Sequence, residues 1–358
     1  LAMAERNAAF LDDDEGNALY SGSDEREHHE GDAALRMSDE EAKRFVLDLE
    51  AACKARDPRV VNVPMNQYAY VYASRGIANS GGMYRGGSDH VAYAGSYVMV
   101  SEGDDTQTGF YVIASRDRAD LKIDTIAREA VGRALAKLGG VQPASGSYRC
   151  VIDGETAGEL IGAFLGNIDA ETMQKGASKL AGRVGEQVGC ELFTIVDDPA
   201  APGFGKRRFD DEGVDSPALT LFDKGRFVTP LYTVYSATRE GKKPNGRGFK
   251  GGIQARARAS IINAFIPNGA LDKDALLKEA GSGMLITELD GLHAGLDPVS
   301  GDFSCAAKGF EIAGGRQGKP LKNFTVSGNF YELIKDIKAQ IGRASCRERG
   351  AISVVAVQ

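Results

Sequence analysis

Residues 218–229 have the sequence Ala-Leu-Thr-Leu-Phe-Asp-Lys-Gly-Arg-Phe-Val-Thr, in which two short apolar runs flank a glycine turn. The runs, Ala218–Phe222 and Gly225–Thr229, have the length and the bounding turn residues that are typical of β-strands. Similar short runs, separated by glycine-rich turns, continue from Phe193 onwards. This pattern predicts that residues 146–340 form a β-rich, barrel-like domain with a few helices.

The first part of the chain combines helix and strand signals. Ser38 and Glu41 form a capping-box pattern before a run with helical spacing, and Leu121–Leu138 is amphipathic. Between these segments, apolar runs on both sides of Gly103 indicate a β-hairpin. We therefore predict an N-terminal α/β domain over residues 1–145. The whole chain then falls into the α+β class.

The two ends of the chain have unusual sequences. Leu1 is not an initiator methionine, so we expect the N-terminal domain to be truncated at its start. Residues 341–358 form an anomalous tail, in which Ile341–Arg349 resembles the translation of a short-read sequencing adapter. We interpret this part of the tail as an artefact of sequence assembly.

Composition excludes several classes of function. The formal net charge is −7, which argues against broad electrostatic binding to nucleic acid. The chain has no apolar run of about 20 residues, the length needed to cross a bilayer. Its five cysteines are scattered without a Cys-x-x-Cys pair, which favours a reducing compartment. We therefore predict a cytoplasmic protein that binds neither nucleic acid nor membrane.

Three separated motifs in the second half carry a resemblance to a known family. They are Phe209–Val214, the segment from Tyr235 to Gly248, and the segment from Gly281 to Phe310 with its Gly301-Asp302-Phe303-Ser304 turn. In this order, they resemble the C-terminal domain of the TldD/PmbA (modulator of DNA gyrase) family. The resemblance covers roughly residues 148–340 and is closest to the PmbA/TldE branch.

The resemblance implies that the two branches of the family have different roles. In this family, the TldD branch carries a His-Glu-x-x-x-His helix that binds metal, whereas the PmbA/TldE branch lacks these ligands and pairs with TldD. In this chain the ligand positions fall on Gly162 and Asn167, and the general base falls on Ala163. None of these side chains suits a peptidase zinc site. The resemblance therefore implies no metal cofactor in this chain and zinc in its partner.

The family resemblance also suggests which residues meet the substrate. A TldD–TldE pair encloses a cavity for unfolded peptides, and this chain would form one wall of it. Asn245, Arg247, His293 and Ser304 are our candidates for residues that line the cavity. The resemblance thus implies a non-catalytic subunit of a heterodimeric metalloprotease, with no catalytic residue of its own.

Two alternatives remain open at the level of sequence. The chain could be a self-sufficient hydrolase that uses His293 or Cys305, because these residue types can serve as base or nucleophile. It could also be a peptide-binding homodimer without proteolysis.

Overall fold

The computed structural model describes most of the chain. The described residues are 34–201, 207–252, 254–267, 269, 271–340 and 354–357, with 3, 6, 9, 10, 14, 16–22, 25 and 26 near the start. The segment that we interpret as an artefact, Ile341–Arg349, lies outside these residues.

The first half contains one sheet and two helices. Its elements are β1 (Glu25–Arg26), α1 (Asp39–Arg56), β2 (Val60–Ala78), β3 (Tyr84–Glu102), β4 (Asp105–Ser115) and α2 (Ile123–Leu135). Strand β3 lies in the middle, with β2 on one side and both β1 and β4 on the other. The helices pack against one face of this sheet, and apolar side chains from both layers form a common core.

Local sequence signals explain the start of α1. The Ser38 hydroxyl accepts a hydrogen bond from Glu41 N, and the Glu41 carboxylate accepts one from Ser38 N at 2.8 Å. This reciprocal capping satisfies two backbone N–H groups that a helix start leaves unpaired. The predicted capping box and the predicted hairpin around Gly103, between β3 and β4, are both confirmed.

The second half contains more strands than helices. Its strands are β5 (Arg149–Ile152), β6 (Ile195–Asp197), β7 (Leu219–Asp223), β8 (Arg226–Phe227), β9 (Gly248–Phe249), β10 (Arg258–Ala259), β11 (Ala264–Phe265), β12 (Gly283–Asp290), β13 (Asp302–Ala313), β14 (Arg316–Asn329), β15 (Ile337–Gln340) and β16 (Val354–Val357). Its helices are α3 (Gly154–Phe164), α4 (Ala170–Gln174), α5 (Val234–Arg239), α6 (Lys273–Ala280) and α7 (Phe330–Leu333).

The main sheet of the second half is open. Its strand order is β14-β13-β12-β5-β16-β15, and a four-stranded sheet of order β11-β6-β7-β8 lies beside it. A barrel requires its first and last strands to pair, but among the described residues β14 and β15 remain the two edges. The α+β class is confirmed, and the described strands of residues 146–340 form no closed barrel.

Helix α3 packs against the main sheet through an aromatic core. The Phe164 ring stacks on the Phe330 ring with centroids 4.2 Å apart, and Phe193 meets Phe330 edge-on at 6.4 Å. These residues belong to the largest apolar cluster of the chain. In the part of the chain that the structure describes, no helix is long and apolar enough to cross a membrane.

The tip of the β2–β3 hairpin contacts the second half. Arg85 is buried there, and its Nη1 donates to Gly213 O at 3.1 Å and to Asp215 Oδ1 at 2.6 Å. Its guanidinium also lies 4.9 Å from the Phe209 ring centroid. The segment from Phe209 to Asp215 is therefore anchored to the first half. The boundary at residues 145 and 146 stays a prediction.

Candidate functional site

Helix α3 presents an open surface at the positions where the sequence lacks metal ligands. The helix begins at Asp153, whose carboxylate accepts a hydrogen bond from Thr156 N at 3.0 Å. Ala163 is exposed, and a Cβ added at Gly162 would meet no heavy atom of the described residues within 4 Å. This part of the helix surface therefore has room for another group but no side chain that could ionise at either position.

Asn167 follows in a short 3₁₀ turn and points into the protein. Its side chain is buried, and its Nδ2 donates to Pro298 O at 2.6 Å. Ser178 Oγ donates to Asn167 O at 2.7 Å. Asn167 thus ties the end of α3 to the turn that precedes β13.

That turn, residues 297–302, is held by several polar contacts. Asp297 Oδ1 accepts from Val299 N at 2.8 Å and from Ser300 N at 3.1 Å. The hydrogen bond from Ser300 is the main reason that the pKa of Asp297 lies below its usual value. Ser300 O accepts from Lys179 Nζ at 2.5 Å and from Asn329 Nδ2 at 2.9 Å. The start of β13 is therefore firmly positioned.

Two of the predicted cavity-lining residues lie close to this turn. Ser304 is exposed, and its hydroxyl lies 2.9 Å from the Ser327 hydroxyl on β14. Ser304 N donates to Gly295 O at 2.7 Å, which joins β13 to the loop that carries His293. His293 is exposed and forms no hydrogen bond or ion pair within the described ranges. Both side chains can meet a ligand from solvent, and their role in binding one stays a prediction.

Cys305 has the wrong surroundings for a nucleophile. Its side chain is buried, and its Sγ lies 3.9 Å from Gly295 O. Burial raises the pKa of the Cys305 thiol, so little thiolate forms near neutral pH. The geometry does not favour the hydrolase alternative that relies on Cys305.

The other two predicted lining residues hold loops together. Arg247 has no exposed surface, and its Nε donates to Asp197 Oδ2 at 2.6 Å. Its Nη2 also donates to Pro217 O at 2.7 Å. The Asn245 amide accepts from Tyr232 N and donates to Pro230 O. Their predicted contact with substrate is untested, but in this geometry both side chains are occupied by the protein itself.

A pair of carboxyl groups in the same region has shifted acidity. Asp210 is fully buried and accepts backbone hydrogen bonds from Val214 at 3.0 Å and Gly248 at 2.8 Å. Glu212 is partly buried and accepts one from Val234 N at 2.8 Å. Burial raises the pKa of Asp210 to about 6 and that of Glu212 to about 7. Both groups can therefore exchange protons near neutral pH.

Comparison with models of protein families shows to which family this chain belongs. The family model of the PmbA/TldA metallopeptidase C-terminal domain matches residues 145–353, more than half of the chain. The model of the PmbA/TldA metallopeptidase central domain matches residues 32–138. The chain belongs to the PmbA/TldD metallopeptidase family.

Individual family members agree with this assignment. A metalloprotease of Methanothermobacter thermautotrophicus is 30% identical over 250 residues, which cover 69% of this chain and 53% of that protein. The metalloprotease PmbA of Escherichia coli O157:H7 is 26% identical over 303 residues, which cover 84% and 65% of the two proteins. The chain thus spans between about half and two thirds of these relatives.

Two solved structures of family proteins share the fold. A proposed modulator of a DNA gyrase from Thermotoga maritima is 28% identical with a TM-score of 0.86, covering 96% of this chain and 79% of that one. TldE from Thermococcus kodakarensis is 22% identical with a TM-score of 0.88, covering 99% and 82%. The second similarity concerns the fold alone.

The metal implied by the name of the PmbA/TldD metallopeptidase family does not fit this chain. A peptidase zinc site needs imidazole, carboxylate or thiolate donors. Residues 160–168 contain no His, Cys, Asp or Glu, so a shift of one residue in the placement of the ligand positions changes nothing. The Asn167 amide is already bonded to Pro298 O. Within the described ranges, no group of three or more His, Cys, Asp or Glu side chains could hold a metal ion.

The sequence did not predict which charged residue pairs with Arg247. Asp197, which pairs with Arg247, lies 50 residues earlier, and no local pattern connects the two. Asp210 and Glu212 lie in the Phe209–Val214 motif, which carries part of the family resemblance. Their shifted acidity depends on burial between loops, which only tertiary contacts reveal.

Proposed function

We propose that this chain is the non-catalytic, PmbA/TldE-type subunit of a heterodimeric metalloprotease that cleaves unfolded peptides. In this proposal, a TldD-type partner supplies the zinc site. The chain described here shapes one wall of the chamber in which the peptide is cut. The proposed location of the pair is the cytoplasm.

The missing donor set of α3 is the observation that carries the proposal. The chain belongs to a metallopeptidase family, yet Gly162 and Ala163 offer no ligand atoms and the buried Asn167 amide bonds to Pro298 O. Because hydrolysis of a peptide bond by this type of site needs a metal-activated water, the chemistry has to come from another chain.

An edge strand supports a role in holding extended peptides. Strand β14 forms one edge of the main sheet, and within the described ranges only the bridge from Val141 to Leu321 occupies its outer side. An extended peptide can add to such an edge through main-chain hydrogen bonds. The exposed hydroxyls of Ser304 and Ser327 lie on the same two strands and could bond to a peptide as well.

Purified proteins can test this function directly. We expect the chain alone to bind no stoichiometric zinc and to cleave no unfolded peptide. Mixed with a TldD-type protein from the same genome, it should form a heterodimer by mass measurement and support cleavage that chelators abolish. The partner alone serves as the control for activity that does not depend on this chain.

Three results would contradict the proposal. Stoichiometric metal in the isolated chain, or chelator-sensitive cleavage by it, would mean that α3 is not an empty site. Cleavage by the isolated chain that resists chelators would favour the hydrolase alternative with His293 or Cys305. A stable homodimer that binds peptide but never cleaves it, with or without the partner, would favour the binding protein.

A further inference from the structure

Three arginines and two carboxylates lie close together over the face of the first sheet that is opposite α1 and α2. Arg116 Nη2 bonds Asp89 Oδ2 at 2.7 Å, and Arg207 Nη1 bonds Asp211 Oδ1 at 2.8 Å. Arg75 is the third arginine, and the charged groups that act on it are Arg207, Asp211 and Asp89. Because each carboxylate is already paired with another arginine, this group of five side chains has one positive charge in excess.

The strand register places Arg75 on this face. Arg75 on β2 lies opposite Gly87 on β3, and Asp89 lies two residues further along β3. Side chains in such opposite and diagonal positions lie on the same face of an antiparallel pair. Phe209 covers Gly87, since a Cβ at Gly87 would lie 3.4 Å from its ring. The loop that carries Arg207 is therefore held over the sheet beside Arg75.

Arg75 is half-buried but has no partner of its own. Its guanidinium offers five N–H donors, and it forms no hydrogen bond or ion pair in the part of the chain that the structure describes. Burial, followed by the repulsion of Arg207, lowers the pKa of Arg75. A desolvated cation next to another cation is unfavourable unless an anion compensates it.

We propose that Arg75 and Arg207 form a binding site for an oxyanion, either a carboxylate or a phosphate group. The planar fork of a guanidinium matches the geometry of both groups. Arg207 is preorganised for this task, since it is bonded to Asp211 and lies 4.7 Å from the Phe249 ring centroid. The inference depends on the charges of this chain and holds whether or not the chain acts in a peptidase.

Thermal unfolding of the full chain in inorganic phosphate tests the site, with chloride used to keep the ionic strength constant. We expect phosphate to raise the unfolding temperature of the wild type, because a ligand that binds only the folded state stabilises it. Arg75→Gln should need at least tenfold more phosphate for the same rise. The matched control is Arg44→Gln, which removes an exposed arginine of α1 and should respond like the wild type.

A pair of peptides distinguishes the two sources of oxyanion. If the natural ligand is a peptide carboxylate, a short peptide with a free C-terminus should raise the unfolding temperature, and its amidated form should not. If phosphate acts and neither peptide does, the site takes phosphate groups. Either result supports the site if the Arg75→Gln substitution abolishes the rise in unfolding temperature.

Two outcomes would overturn the inference. One is an equal response of wild type and Arg75→Gln to phosphate and to the acid peptide, including no response in both. The other is a lower unfolding temperature of Arg75→Gln than of Arg44→Gln without any anion. That result would mean that the Arg75 guanidinium already has a stabilising partner in the fold.

Discussion

Single carboxyl groups in this protein differ widely in acidity because their surroundings differ. Asp297 is exposed and bonded to backbone N–H groups, which favour its charged form and lower its pKa. Among the described residues, Glu212 accepts one such bond, from Val234, in a partly buried position, so the cost of desolvation dominates and its pKa rises to about 7. The nearby carboxyl group of Asp210, whose own pKa is about 6, repels the charged form of Glu212 and raises the pKa of Glu212 further. The two residues make this loop sensitive to pH near neutrality.

Glu212→Gln should increase stability at alkaline pH. The pKa of Glu212 is raised above its ordinary value of 4.5, so the stability it contributes is complete below pH 4.5 and is lost as the pH rises through about 7. Gln keeps an oxygen for Val234 N but cannot ionise. Allowing for partial exposure, we expect the variant to exceed the wild type by about 1–2 kcal/mol in unfolding free energy at pH 8, and to match it near pH 4.5.

Urea unfolding at several pH values measures this difference. The control is Glu279→Gln, which neutralises an exposed carboxylate on α6. Its difference from the wild type should stay constant with pH. A constant difference for Glu212→Gln as well would refute the assignment of a raised pKa to Glu212.

Among the helices and strands, α3 keeps its fold although it lacks the metal-binding side chains that the family resemblance places there. Its inner side packs through Phe164 against Phe330, and its cap at Asp153 is satisfied. On its outer side, Gly162 leaves open space. The packing that places the helix does not depend on the outer residues, so the helix remains in place without ligands there.

Filling the open space at Gly162 should separate folding from function. Among the described residues, no heavy atom lies within 4 Å of a Cβ added at Gly162, and Gly162→Leu replaces a poor helix former by a good one. We expect the unfolding free energy to rise by about 0.5 kcal/mol. If the outer side of α3 faces the peptide chamber, cleavage in the heterodimer should fall at least tenfold.

A glycine on the other helical layer provides the matched control. Gly132 lies within α2 and is exposed, and a Cβ added there likewise has no heavy atom within 4 Å in the part of the chain that the structure describes. Gly132→Leu should give a similar gain in stability with no loss of cleavage. Equal cleavage by both variants would mean that the outer side of α3 does not face the chamber.

At the scale of the whole molecule, charged side chains join the two halves. Lys137, which follows α2, is buried and bonds to Glu288 on β12. Lys308 on β13 bonds the other Glu288 oxygen at 2.9 Å. A cleft of about 380 Å³ opens beside them, lined by both lysines and Lys322. One carboxylate thus bridges cations from both halves of the chain.

Removing the charge of Glu288 should weaken the contact between the halves. In Glu288→Gln the buried Lys137 ammonium loses its anionic partner, so we expect a loss of about 1–3 kcal/mol in unfolding free energy. Adding Lys137→Met should recover part of this loss, because the unpaired buried charge is then gone. A double-mutant cycle measured by urea unfolding gives the coupling.

An exposed ion pair serves as the control for this loss of stability. Glu186→Gln breaks the pair between Glu186 and Arg183, whose side chains are both largely exposed, and should cost less than about 0.5 kcal/mol. Equal losses for Glu186→Gln and Glu288→Gln would show that the contact of Glu288 with Lys137 is no stronger than a surface pair.

Features that depend on residues close together in the chain can be predicted from the amino-acid order. The capping box at Ser38 and the hairpin at Gly103 follow from local hydrogen-bonding rules, and both could be predicted. The missing ligands at Gly162 and Ala163 follow from residue identity alone, because neither side chain has a donor atom. The α+β class follows from the spacing of apolar residues along the chain.

Features that join distant segments depend on how the chain folds and could not be predicted from local patterns. The main sheet stays open because β14 and β15 end as separate edges, and no local pattern shows whether such strands meet. Arg247 is buried because Asp197 meets it across 50 residues. Arg207 acts on the charge of Arg75 only because packing brings the two distant segments together. The burial of a side chain and the balance of charges around it depend on residues that are distant in sequence and close in space, so neither can be known before the chain has folded.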